Sequence, residues 1–155
     1  HLLCESPLEV DRKQAADLIT LKARDLTIAC RVRRAGFVAR YGWQFTMRSN
    51  RSNGAETELR KIVNGWGDWM FYAHAAPGNE VAFARWLLID LAAWRAQMLR
   101  DSYSKERRLI WQNDKPNADG RTSFAWFDVR SFTDDPPLLV ASSEPVPIIQ
   151  KAVAA

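Results

Sequence analysis

Ten lysines and arginines fall between residues 22 and 61, against three acids, Asp25, Glu56 and Glu58. That segment carries a net +7, while the rest of the 155-residue chain carries −3. Positive charge gathered in this way suits an anionic partner, and arginine meets phosphate with two parallel N–H donors. Arg31, Arg33, Arg34, Arg40 and Arg51 are the candidate nucleic-acid contacts, with Arg48 and Lys61 beside them. Phe37, Tyr41 and Trp43 interleave with Arg34, Arg40 and Arg48, an arrangement on which unpaired bases can stack. The plainer alternative is a sheet edge blunted by solvated arginines.

Other chemistries find few residues. The two cysteines, Cys4 and Cys30, mark no disulfide framework, and the two histidines, His1 and His74, do not suit a zinc site. His74 lies inside an apolar strand, where a core or rim histidine is expected rather than a catalytic base. Cys30 falls on the apolar side of a predicted strand and is expected in the core. No apolar run is long enough to span a membrane, and HLLCESPLEV lacks the basic and long apolar regions of a signal peptide. The expected location is cytoplasmic.

The elements that must hold the basic segment follow from periodicity. Hydrophobic residues make up 47% and charged residues 26%, the balance of a folded domain rather than a disordered chain. Residues 8–21 read as a helix, with Leu8, Ala15, Leu18 and Ile19 at helical spacing. Residues 25–34 read as a strand with Leu26, Ile28, Cys30 and Val32 on its apolar side. Residues 35–42 form a glycine-bounded loop. In 43–49, Trp43, Phe45 and Met47 alternate with Gln44, Thr46 and Arg48. The two strands are expected to pair as an antiparallel hairpin, with Arg31, Arg33, Gln44, Thr46 and Arg48 on one surface.

SNRSNG is turn chemistry. Residues 55–64 read as a helix burying Leu59, Ile62 and Val63, with Gly65 as its stop. Trp69 to Ala75 is nearly continuous in apolar character and is expected to be central, buried on both faces. Asp68 before it suits a turn cap. A Pro77-Gly78 turn leads to a strand at 84–89. Asp90 then caps a helix reaching about Arg100, with Leu91, Trp94 and Met98 inward. Residues 108–113 suggest a short strand and 113–121 a turn. Residues 122–132 suggest a strand in which Phe124, Trp126 and, less regularly, Val129 alternate. Residues 1–132 form one domain, and 133–155, rich in proline, a tail or strap over it.

From residue 8 to about 99 this order resembles the core of the PD-(D/E)XK nuclease superfamily, and GDWMFYAHA…RWLLIDLAAWR looks like that family's strand, hairpin and helix after the catalytic strand. The resemblance implies an α+β fold, a central mixed β-sheet flanked by helices, restriction-endonuclease-like. It implies Mg²⁺-dependent hydrolysis of DNA phosphodiesters, in which carboxylates hold the ion. Asp25 matches the family's first acid, and Glu9 the acid of its first helix. Gln44-x-Thr46-x-Arg48 stands where the family shows an acid and a lysine. Gln44 offers a neutral carbonyl, and Arg48 offers charge but no base. Glu58 and Lys61 stand where some members carry a relocated site residue. On the same scaffold a non-catalytic nucleic-acid-binding module needs none of these acids. A protein-interaction domain, using exposed tryptophans and the proline-rich tail, is the third expectation.

Overall fold

The computed structural model describes residues 2–5, 18–21, 26–103, 112–118 and 120–147. Among the described residues, three sheets and three α-helices make an α+β architecture with a mixed central sheet. Strands β1 (Leu2–Glu5) and β2 (Leu18–Leu21) form an antiparallel pair. The expected helix over 8–21 is therefore not helical at its end. An aliphatic run containing Ile19 and Thr20 has strand propensity, and short apolar runs are ambiguous by period alone. The rest of that helix lies outside the described residues.

The four-stranded sheet has the order β3–β5–β6–β9. β3 (Ile28–Arg33) runs parallel to β5 (Trp69–Ala76), so the expected hairpin between β3 and the next strand does not form. β5 is central. Its antiparallel partner β6 (Asn79–Asp90) follows the Pro77-Gly78 turn, where Gly78 has φ 70°. β9 (Leu139–Ser142) closes the far edge against β6.

The three-stranded sheet has the order β4–β8–β7. β4 (Gln44–Arg51) pairs antiparallel with β8 (Thr122–Asp128), and β7 (Gln112–Pro116) lies beyond. Of the strand expected at 108–113, residues 112 and 113 belong to β7, which runs on into the expected turn; 108–111 lie outside the described residues. β8 buries Ala125 and Phe127, while Phe124 and Trp126 are half-buried on the other side.

One core joins these layers. Phe45 and Met47 of β4 meet Phe127 of β8, Met70 of β5, and Leu87 and Ile89 of β6. Phe45 stacks on Phe127 at 5.1 Å, and Trp94 meets Phe127 edge-on at 5.4 Å. Residues 38–41, expected as loop, make one helical turn, α1 (Val38–Tyr41). α2 (Glu58–Val63) starts at Thr57, whose hydroxyl accepts from Arg60 N at 3.2 Å. It ends at Gly65, φ 96°, with paired bonds from Gly65 N to Ile62 O and Trp66 N to Lys61 O. Leu59 and Ile62 are buried, but Val63 is exposed. α3 (Leu91–Tyr103) is capped by Asp90, which accepts from Ala93 N at 2.8 Å. The Gln97 side chain on α3 donates to Thr133 O and Pro136 O and accepts from Thr133 N, tying the helix to the segment before β9.

Residues 26–33 turn over relative to expectation. Leu26, Ile28, Cys30 and Val32 are exposed, while Ala29, Arg31 and Arg33 are half-buried. Cys30 is a free, exposed thiol rather than a core residue. β5 buries Met70, Tyr72 and His74 on its inner side; on the outer side Ala73 is buried as well, while Phe71 is half-buried and stacks against Trp86.

Candidate functional site

β3, β4 and α2 converge where the sequence gathers its cations. Glu58, in the first turn of α2, accepts from the Arg31 guanidinium of β3 and, at 3.0 Å, from the Arg48 backbone N–H of β4. Arg31 also donates to Thr46 Oγ1 at 3.3 Å, and Thr46 Oγ1 lies 3.1 Å from the buried Tyr72 hydroxyl. A polar chain thus runs from α2 through both sheets. Burial pushes the Tyr72 phenol up from its ordinary 10.0, against the hydrogen bond from Thr46 and the fields of Arg33 and Arg31. Beside it, His74 is buried with neither ring nitrogen in a hydrogen bond of normal geometry. Burial first, then Arg33, pushes it below its ordinary 6.5, and the Tyr41 backbone opposes that shift. A neutral imidazole packed edge-on to Tyr72 is the result, so His74 is a core residue as expected, though an unsatisfied one.

Three hollows follow one another across this surface. The first, about 350 Å³, is walled by Arg31, Arg48, Arg51, Lys61, Glu56 and Glu58. The second, about 490 Å³, shares Arg31 and Arg48 with it and adds Arg33, Arg34 and Phe37. The third, about 530 Å³, shares Arg33 and Phe37 with the second and continues to Arg40, Tyr41, Gln44, Phe124 and Trp126. Arg33, Arg34, Arg40, Arg48, Arg51 and Lys61 have no carboxylate partner among the described residues.

Arg31, Arg33 and Arg48 therefore come together with Glu58 and Lys61, but through parallel β3–β5 pairing and the Glu58 clamp rather than a hairpin. Gln44 stands apart, in the third hollow. Trp43, expected among the stacking aromatics, lies under the Arg85 guanidinium at 4.3 Å, and a Cβ on Gly42 would strike that guanidinium. Asp68 accepts from Thr27 N and Oγ1 at 2.9 and 3.0 Å, tying the start of β5 to the residue before β3. Asp25 and Glu9 lie outside the described residues.

Among the described residues, those that the resemblance offers to Mg²⁺ do not converge; Asp25 and Glu9 lie outside that set. Glu58 Oε2 is engaged by Arg31 and by the Arg48 N–H, and Gln44 opens into another hollow. No three His, Cys, Asp or Glu among the described residues gather so as to hold a metal ion. Lys115, Phe124 and Trp126 also line the third hollow and are not among the residues expected at a site. The Phe124-x-Trp126 alternation is their one signal, and alternation alone does not say whether that side meets a core or a recess.

No protein-family model matches the chain, no curated protein is significantly similar to it, and no solved structure matches it. No helix among the described residues is long and apolar enough to cross a membrane.

Proposed function

We propose that the protein binds nucleic acid, holding backbone phosphates along the run of hollows from Arg51 and Lys61, past Arg31 and Arg48, to Arg33. The observation that carries this reading is charge imbalance. Eight cations line the three hollows, against two carboxylates, Glu56 and Glu58, and Glu58 is ion-paired. Unneutralised guanidinium groups on one surface favour phosphate. Each phosphate neutralised releases counterions, so affinity falls steeply with salt.

The restriction-endonuclease-like assignment and DNA hydrolysis belong to the same proposal in extended form. Support comes from element order, with α2 between β4 and β5 and α3 after β6. The β3–β5 pairing departs from the expected β3–β4 hairpin. Hydrolysis would require ligands beyond the described residues, with Asp25 and Glu9 as candidates.

One experiment separates the two. Binding to labelled DNA is measured across a salt series for wild type and for Arg33→Glu/Arg48→Glu, and the same DNA is incubated with Mg²⁺ or Mn²⁺. The double variant should lose about tenfold or more in affinity and flatten the salt slope. Unchanged affinity would sink the binding reading. DNA cut by wild type but not by Asp25→Ala supports hydrolysis; DNA left intact with either ion removes it.

A further inference from the structure

We infer that the third hollow receives a single unpaired nucleobase from a strand whose phosphates lie along Arg31, Arg33 and Arg48; the inference rests on the phosphate-binding reading above. The hollow differs from its two neighbours in its walls. The second is walled mainly by arginines, with Phe37 as its one ring, and the first mixes cations and two acids with Ile62, Leu91 and a single ring, Trp66. The third is walled by Phe124 and Trp126 of β8 and by Phe37 and Tyr41 around α1. Its volume, about 530 Å³, falls among small-molecule sites, which run roughly 300–1,000 Å³.

Two features make it suited to a base rather than to an apolar side chain. First, cations sit on its aromatic walls. Lys115 Nζ lies 5.6 Å from the Trp126 ring, the Arg33 guanidinium 6.0 Å from Phe124, and Arg40 5.2 Å from Tyr41. An apolar guest would have to desolvate these charges without compensation. A nucleotide brings a π-face for the rings and a phosphate for the cations. Second, polar groups point to an edge that must be read. The Gln44 amide lines the hollow with no hydrogen-bond partner among the described residues. It offers a donor and an acceptor together, the pair that a base edge answers. The buried Thr46 and Tyr72 hydroxyls, bonded to each other at 3.1 Å, also line the hollow.

The hollow is continuous with the phosphate path, since Arg33 and Phe37 belong to both the second and third hollows. A base stacked inside a duplex cannot reach such a recess. Single-stranded or base-extruded nucleic acid is therefore the ligand class.

The test compares a short oligothymidylate, an oligodeoxyadenylate and an abasic sugar-phosphate strand of equal length, by fluorescence anisotropy at fixed salt. Wild type should hold the better base-bearing strand about tenfold tighter than the abasic one, the scale of one stacked base. Trp126→Ala should lose that preference. Phe124→Ala and Gln44→Ala, each checked for a wild-type melting curve, should reduce it. Equal wild-type affinity for base-bearing and abasic strands overturns the base hollow and leaves the phosphate path standing. A preference that survives all three substitutions overturns it as well. If wild type holds none of the strands, the phosphate reading itself fails.

Discussion

β3 and β4 both alternate apolar residues with polar or basic ones, yet they turn opposite sides to the core. β4 buries Phe45 and Met47 completely and leaves Arg48 half-buried. β3 leaves Ile28 and Val32 47% and 53% exposed and draws Arg31 inward. Alternation says that a strand has two unlike faces; the neighbours decide which one goes in. β4 lies against β8, whose Phe127 stacks on Phe45, so an apolar side is needed there. β3 is an edge strand beside β5, and its inner side meets Thr46 and the Glu58 carboxylate, with the Tyr72 hydroxyl one hydrogen bond further on. An aliphatic residue at Arg31 would leave the partly exposed Glu58 carboxylate without its cation and Thr46 without its donor.

The largest effect should come from β4. Phe45→Ala removes a fully buried ring from the centre of the core and should cost about 3–5 kcal/mol. Ile28→Ala, at an exposed position of β3, should cost less than about 1 kcal/mol. Urea denaturation of both variants measures the contrast. Equal losses would mean that β3 is covered as β4 is, and the comparison would collapse.

A smaller effect should come from the residue that holds the inner side of β3. Glu58→Gln keeps an acceptor for the Arg48 N–H but removes the charge facing Arg31. Both side chains of this pair are partly solvent-exposed, so the stability loss should be about 1 kcal/mol or less. The same change frees Arg31 and removes a negative charge from the phosphate path. Affinity for DNA should therefore rise a few-fold at low salt and converge on wild type as salt screens the groove. Weaker binding would show that Glu58 positions a ligand rather than masking a cation, returning it to the role that the nuclease resemblance implies.

Local chemistry explains why some features were legible in the sequence. The Asp90 cap, the Gly65 stop, the Pro77-Gly78 turn and the central place of β5 each depend on a few neighbouring residues, and each forms as expected. Pairing between distant strands was not legible. The β3–β5 parallel register joins residues about forty positions apart, and nothing within either strand specifies it. The inversion of β3 follows from that pairing, and so does the exposure of Cys30. At the site, gathered charge was readable as composition. The Glu58–Arg31–Thr46 chain was not, because its members lie on three elements whose contact depends on the whole fold. The aromatic hollow was missed for a simpler reason. Aromatic residues alternating on a strand look the same whether they face a core or a recess, and β8 turns its smaller Ala125 inward with Phe127.

The smallest expected effect gives the sharpest control on β3. Val→Thr preserves shape and β-branching, so it asks only whether a hydroxyl can be tolerated. At Val32, beside water, Val32→Thr should change stability by no more than about 0.5 kcal/mol. At Val129, buried after β8, the same substitution places a hydroxyl inside the core and should cost about 1–3 kcal/mol. The two variants differ in burial rather than in chemistry, and their melting temperatures should separate accordingly. If Val32→Thr destabilises as much as Val129→Thr, the outer side of β3 is covered in solution, and its apolar residues then serve a contact instead of facing solvent.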